Sequence, residues 1–304
     1  MADRWMKLIV NPAAGAGRAG RQWPQVQGLL GSIGLRYEHA LTEARGHGIE
    51  LAREAVRAGW EVVVSVGGDG TVHEVANGMH QAGGGNDVTL GIIGIGTGTD
   101  YLRTLGISRR FEEACRALPL AGRQQVDVGL VDYTLDGKPQ QRLFVNFAGA
   151  GFDAEIVRRT TQQYKSLGSL GSYLMGLLAT VATYRNPEVT LAVDGEVSTR
   201  KACTVLVSNG RYGGGGMCPA PNADLTDGVF DLLVIGDISR PDLLWSLPRI
   251  YRGTHLTHPK VSLVNAREVS LTSARPLSLQ ADGELLGGLP ARFSILPGAL
   301  TIAV

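Results

Sequence analysis

Along the first 125 residues, short apolar runs alternate with segments whose apolar positions recur every three or four residues. KLIV (7–10), EVVVSV (61–66) and TLGII (89–93) are runs bounded by turn residues, as expected of strands buried on both faces. Leu35 to Leu41 predicts a further strand. Between the runs, Trp23 to Leu30 predicts a helix, and so does Ile49 to Ala58, where Ile49, Ala52 and Val56 share one face and Gly59 stops it. Val72, Val75, Ala76 and Met79 give the next helix. This alternation predicts an α/β N-terminal domain with a mostly parallel sheet covered on both sides.

After QVDVGLV (125–131) the pattern changes to period two. VDYTLDGKPQQRLFVNF (131–147) and VTLAVDGEVS (189–198) each carry an Asp-Gly turn between alternating strands, the hairpin signal. CTVLVSN, VFDLLVI, VSLVN, EVSLT and LSLQADGE continue it, so the second half reads as antiparallel β with one helical interruption. In that helix Leu170, Tyr173, Leu174, Leu177, Leu178, Val181 and Tyr184 fall on one face, expected to pack on a sheet rather than to face lipid.

At 304 residues the chain is long enough for two domains, and its composition, 44% hydrophobic and 19% charged with 42 glycines, is that of a globular enzyme. Twenty-nine basic against 28 acidic residues leave a net charge of +1, which speaks against a nucleic-acid partner. Cys115, Cys203 and Cys218 form no CxxC pair and suit a reducing cytoplasm as filler. The start, MADRWMKLIVNPAAG, has too short an apolar run for a signal-peptide core, and no stretch approaches the ~20 apolar residues of a membrane span. The expectation is a cytoplasmic protein whose contact with a membrane is peripheral.

The chemistry concentrates in VGGDGTVHEVANG (66–78), where a strand passes through a glycine-rich turn into a helix. That geometry offers backbone N–H groups and a positive helix end to an anion. Asp69 is the unusual member: beside a phosphate it must bind metal, orient a hydroxyl, take a proton, or else brace the turn. GxxxxGK[ST] is absent, and GIGTG (94–98) lacks the third glycine of a dinucleotide fingerprint. Asp224, Asp227 and Asp231 in DLTDGVFD read either as turn acids or as oxygen donors for magnesium. Asp282 and Glu284 in ADGE are either a hairpin turn or a carboxylate pair suited to taking a proton from an alcohol. Arg18, Arg21 and Arg103 lie close in sequence to these loops, and His73 reads as a packing residue.

VNPAAGAG (10–17), VGGDGTVHEVANG (66–78), GIIGIGTGTDYLRTLGI (91–107), FVNFAGAGFDAEIV (144–157), PAPNADLTDGVFDLLVI (219–235) and LQADGE (279–284) follow one another along nearly the whole chain. In that order they resemble the blocks of the diacylglycerol kinase catalytic-domain family, which includes bacterial soluble lipid kinases and the sphingosine and ceramide kinases. The resemblance implies an NAD kinase-like nucleotide-binding domain over 1–125 with 293–304, and a C-terminal antiparallel β-sandwich domain over 126–292 for the lipid. It implies ATP around Asn11, Pro12, the loop through Gly15 and Gly17, Thr42, Gly67, Gly68, Asp69, Gly70, Thr71, Glu74 and Thr97. It also implies Mg²⁺ at Asp227, with main-chain oxygens at Asp224 and Val229, and a general base at Glu284, with Asp69 the other candidate and Asp282 beside it.

The implied activity is ATP- and Mg²⁺-dependent phosphorylation of a lipid hydroxyl, diacylglycerol or a relative, taken from a membrane surface by transient docking, as a step of phospholipid metabolism. A sphingoid base or other amphiphilic alcohol is an alternative acceptor, a silent lipid- or nucleotide-binding protein an alternative class, and a homodimer a candidate assembly. One departure is visible: the family's G-T-x-N-D is Gly96-Thr97-Gly98-Thr99-Asp100 here, so an amide gives way to a hydroxyl.

Overall fold

A computed structural model of the chain describes residues 5–96, 98–163 and 168–304. It divides into two compact units, Met1–Val128 with Pro297–Val304, and Gly129–Leu296.

The first unit contains β1 (Met6–Val10), α1 (Ala14–Ser32), β2 (Tyr37–Leu41), α2 (His47–Arg57), β3 (Val62–Gly67), α3 (Asp69–Gln81), β4 (Thr89–Gly94), α4 (Asp100–Leu105) and α5 (Phe111–Ala117). Its strands run parallel in the order β2-β1-β3-β4, with Met6 opposite Tyr37, Lys7 opposite Val63 and Val62 opposite Thr89. Thr301 and Ile302, near the end of the chain, add a fifth parallel strand beside Thr89 and Leu90 of β4. Every residue of β3 and β4 is buried, which is why both are nearly unbroken apolar runs. Trp23, Val26 and Leu30 of α1 pack with Met6, Leu8, Val62, Val64 and Val66 on one face. Helix α1 starts well before Trp23: Gly15, Ala16 and Gly17 turn through left-handed φ of 60°, 56° and 81° and the helix then carries on through Arg18. Its first regular turn is polar and glycine-rich, so apolar periodicity gave no sign of it. On α3, a Cβ at Gly78 would stand 2.2 Å from the Ile49 carbonyl oxygen and 2.7 Å from Ala52 Cβ. The last glycine of the VGGDGTVHEVANG stretch therefore serves helix packing, letting α2 and α3 touch.

The second unit contains β5 (Arg123–Leu135, entering from the first unit), β6 (Lys138–Phe144), β7 (Phe147–Gly151), α6 (Phe152–Gln162), α7 (Gly168–Thr183), β8 (Glu188–Val193), β9 (Glu196–Lys201), β10 (Thr204–Ser208), β11 (Phe230–Ile235), α8 (Arg240–Tyr251), β12 (Val261–Ala266), β13 (Glu268–Ser273), β14 (Ser278–Ala281) and β15 (Glu284–Ala303). One antiparallel ladder runs β12-β11-β10-β7-β14-β15. A second links β15 through β13 and β8 to β9. Three of this unit's Asp-Gly pairs turn as two-residue hairpins with both φ positive: Asp136 and Gly137 at 51° and 74°, Asp194 and Gly195 at 47° and 94°, Asp282 and Gly283 at 47° and 81°. Phe144, Phe230 and Phe293 meet in the core, with ring centroids 5.6 and 6.3 Å from Phe144.

Among the described residues three α-helices interrupt this unit rather than one. Helix α6 is polar along most of its length, and α8 carries Pro241 and Pro248, so neither stood out in the sequence. The expectation that α7 buries a single apolar stripe on a sheet is also corrected. Its close partner is α6: a Cβ at Gly176 would stand 2.6 Å from Thr160 Oγ1, and Arg159 Nη1 donates to the Ala179 carbonyl at 2.9 Å. Val181 is buried, but Leu174 and Leu178 are about half exposed, at 51% and 49%. The side chains of Leu170 and Tyr173 lie outside the described residues.

Candidate active site

In the first unit the chain turns away from β1, β3 and β4 at the same sheet edge, and β1 and β3 straddle the point where strand order reverses. Parallel α/β sheets bind ligands at this position. Asn11, Ala14 and Gly15 from the first loop, Gly68 to Thr71 from the second, and Gly96 and Gly98 from the third line a cavity of about 240 Å³. Asn11 ties two of the loops together: its Oδ1 accepts from the Ala13 amide at 3.0 Å and its Nδ2 donates to Thr71 Oγ1 at 3.1 Å. The second and third loops touch backbone to backbone, where the Asp69 amide donates to the Gly98 carbonyl at 3.2 Å and a Cβ at Gly96 would meet Gly68 Cα at 2.6 Å. Arg18 donates to the Gly96 carbonyl. Gly70, by contrast, faces open space. The result is a rigid cradle of main chain with room over the start of α3, suited to a polyphosphate.

Asp69 braces this cradle. Its Oδ2 accepts from the Asp100 amide at 2.9 Å and its Oδ1 from the Tyr101 amide at 3.2 Å, so its carboxylate caps α4. Glu74 does the same for α2, accepting from the Gly46 and Gly48 amides at 2.8 and 2.9 Å. Gly67 lies beneath the turn, because a Cβ there would collide with Thr71 Oγ1 at 2.3 Å. The Pro12 carbonyl accepts from the Gly20 amide, and the Thr42 amide donates to the Val10 carbonyl. Pro12, Gly17, Thr42, Gly67 and Glu74 thus frame the cavity without lining it. Thr97 lies outside the described residues. Thr99, where the family has asparagine, is buried and accepts from Arg109 Nε at 2.9 Å.

In the second unit, Glu284 opens β15 opposite Ala281, directly after the Asp282-Gly283 turn. The Asp282 carboxylate accepts from the amides of Val145, Asn146 and Phe147 at 2.8, 2.9 and 3.1 Å. Asp194, in the equivalent place of another hairpin, accepts from the Arg267 and Glu268 amides in the same way. Asp282 thus anchors the turn that Glu284 directly follows.

A further acid was not signalled by the sequence. Asp153, in the first turn of α6, accepts from Thr204 Oγ1 and from Gln280 Nε2, the latter at 2.9 Å, while Gln280 Oε1 accepts from the Gly283 amide at 2.9 Å. A chain of hydrogen bonds therefore joins Asp153 to the turn that carries Glu284. Burial pushes the Asp153 carboxyl up, against the pull of its Thr204 and Gln280 bonds. Its ionisation therefore opposes folding: the contribution is full below the unfolded value of about 4 and is lost as pH rises through the higher folded value. Melting wild type and Asp153→Asn across pH 4 to 8 should show wild type losing ground to the variant as pH rises. A difference independent of pH would mean that Asp153 ionises equally easily folded and unfolded.

Asp224 and Asp227 sit in successive tight turns: Asp224 Oδ1 accepts from the Thr226 amide and hydroxyl, and Asp227 Oδ1 from the Val229 amide at 3.1 Å. Asp231, at the start of β11, is held above the usual carboxylate range by burial first and by the charge of Asp227 second. Among the described residues no three His, Cys, Asp or Glu side chains gather as a metal cluster.

Comparison with known proteins accounts for both units. Residues 5–131 match the diacylglycerol kinase catalytic domain, and residues 146–304 match the YegS C-terminal NAD kinase beta sandwich-like domain. The chain belongs to the diacylglycerol kinase family. Members of this family are lipid kinases, and this chain is one. A diacylglycerol kinase of Bacillus subtilis (strain 168) is 28% identical over 289 residues, covering 94% of this chain and 92% of that one. One of Staphylococcus haemolyticus (strain JCSC1435) is 29% identical over 291 residues, covering 94% and 84%. The fold is that of a crystal structure of a diacylglycerol kinase from Bacillus anthracis str. Sterne, with a TM-score of 0.72 at 21% identity over 99% of this chain and 96% of that chain. A second structure from that organism gives a TM-score of 0.77 at 24% identity over the same shares.

The three cysteines are all buried. Burial is the main cause that pushes Cys115 up to about 11 and Cys203 up to about 12, so neither thiol is nucleophilic at neutral pH.

Proposed function

We propose that this lipid kinase transfers the γ-phosphoryl group of ATP, with Mg²⁺, to the hydroxyl of diacylglycerol or a close relative at a membrane surface. The cradle of three main-chain loops at the sheet edge is the observation that carries the ATP reading, because phosphoryl transfer asks mainly for positioned amides and neutralised charge. Diacylglycerol is the reading favoured for the acceptor because the Bacillus subtilis and Staphylococcus haemolyticus relatives are diacylglycerol kinases.

The donor set suits magnesium. Asp227 would hold it with its hard carboxylate oxygens, and Asp224 and Val229 with their main-chain oxygens; the charge of Asp227 that disfavours ionisation of Asp231 is one a cation would offset. When bound, Mg²⁺ would neutralise charge on the transferring phosphate. The remaining work falls to side chains. Glu284 takes the proton of the acceptor hydroxyl, while Asp282 and Gln280 hold its turn and Asp69 keeps the phosphate loops in register.

The test is an acceptor screen with labelled ATP, using diacylglycerol, sphingosine, ceramide and NAD in mixed micelles. Label is expected in diacylglycerol, and label only in NAD or a water-soluble alcohol would overturn the reading. In the same assay, Asp227→Ala should raise the Mg²⁺ needed for half-maximal rate by roughly tenfold or more. An unchanged Mg²⁺ requirement would remove Asp227 from the metal site.

A further inference from the structure

Helix α8 is apolar on two opposite faces. Its inner face, Leu243, Leu247 and Ile250, closes a small apolar cavity of about 40 Å³ with Ile235, Ile238 and Val261. Its outer face is a stripe at helical spacing: Pro241, Leu244, Trp245, Pro248, Tyr251 and Arg252, every one exposed. Trp245 is 78% exposed, Tyr251 48% and Leu244 44%. A helix whose outward stripe is apolar normally has something covering it.

Charge selects what covers this one. The one acid of the helix, Asp242, is turned to His258, whose Nε2 lies 3.3 Å from both of its carboxylate oxygens. Arg249 and Arg252 sit at the C-terminal end, and Arg240 at the other end donates to the Tyr184 carbonyl. The stripe is thus apolar and aromatic, with basic flanks and no acid. A second copy would bring the same arginines against each other in an isologous contact, whereas anionic head groups complement them. Tryptophan and tyrosine beside arginine is also the composition that sits at the boundary between head groups and acyl chains. Helix α7, which touches α8, likewise leaves Leu174, Met175 and Leu178 exposed and carries no charged residue.

We infer that the outer face of α8 docks this protein on an anionic lipid bilayer, with Leu244 and Trp245 inserted and Arg249 and Arg252 at the head groups. The inference rests on the lipid-kinase reading for its biological sense, but its test needs neither ATP nor acceptor. The full chain is sedimented with vesicles of phosphatidylcholine alone and of phosphatidylcholine with phosphatidylglycerol. Wild type should pellet with the second and not the first. Leu244→Ser with Trp245→Ser should lower the bound fraction by roughly tenfold or more, from lost apolar burial, with an unchanged Tm because both side chains are on the surface. Arg252→Ala should weaken binding less and flatten its dependence on salt. The inference is overturned if the double variant binds as wild type does, if pure phosphatidylcholine binds equally well, or if the patch proves to hold a dimer that the double variant dissolves. Docking without phosphate transfer to any dispersed lipid would count against the kinase reading alone.

Discussion

Glu284→Gln will lower kcat by roughly 10²- to 10⁴-fold while leaving the KM for ATP and the melting temperature near wild type. The amide keeps the shape of the side chain and removes its ability to take a proton, so only the step that uses the proton should suffer. The position is set with unusual care. Asp282 and Gly283 form a two-residue turn, the Asp282 carboxylate gathers three amides of residues 145–147, and Gln280 links the turn to buried Asp153. Single-turnover assays in mixed micelles, with kcat and KM measured separately, make the comparison. Asp282→Ala is the contrast: it strands three amides and should lower stability by about 1–3 kcal/mol for each one left buried and unsatisfied. Retained turnover in Glu284→Gln, with loss in Asp69→Asn, would move the base to Asp69.

Phe144→Ala will destabilise the second unit by about 3–5 kcal/mol, a drop in Tm on the order of 10 °C for a protein of this size. The ring is fully buried, stacked on Phe230 with an interplanar angle of 20° and edge-on to Phe293 at 81°. It also lies over its cross-strand partner Gly129, where a Cβ would stand 2.0 Å from Phe144 Cζ. With glycine opposite, the partner strand offers no side chain to fill the space, so a cavity is left. A double-mutant cycle gives the diagnostic: Gly129→Ala should be strongly destabilising alone and close to neutral or stabilising once Phe144 is alanine. Additive losses in thermal or urea unfolding would show that the ring does not occupy that space.

What could be read from the sequence follows from how local its causes are. The buried β3 and β4 are continuous apolar runs, and three Asp-Gly pairs fix their hairpins within four residues, so strands and turns were visible directly. The glycine turn before α3 was visible too, although its glycines turned out to have separate tasks: Gly67 yields to Thr71, Gly78 to α2, and Gly70 opens onto the cavity. Other features depend on residues far apart. Asp153 matters because Thr204 and Gln280, 51 and 127 positions away, point at it. Gly96 matters because it lies against Gly68, a contact between two backbones that leaves no pattern in either segment. Glu74 looked like part of a phosphate motif, yet its carboxylate belongs to the start of α2. Thr99 looked like a lost function, yet Arg109 supplies its hydroxyl with a partner.

The fifth strand of the parallel sheet has a consequence for biosynthesis. Thr301 and Ile302 pair with Thr89 and Leu90, and the Gly122 amide and carbonyl exchange hydrogen bonds with Val304. Emerging from the ribosome, the first 128 residues contain all three loops that line the cavity, but the edge of β4 has no partner until the chain has passed through the whole second unit. For that interval the nascent protein presents an open, apolar strand edge, the template on which chains aggregate. Closing it requires contacts separated by more than two hundred residues, which are slow to form. Truncation or a bulky tag before residue 301 should therefore leave a protein whose first 128 residues are made in full but which is recovered mainly from inclusion bodies.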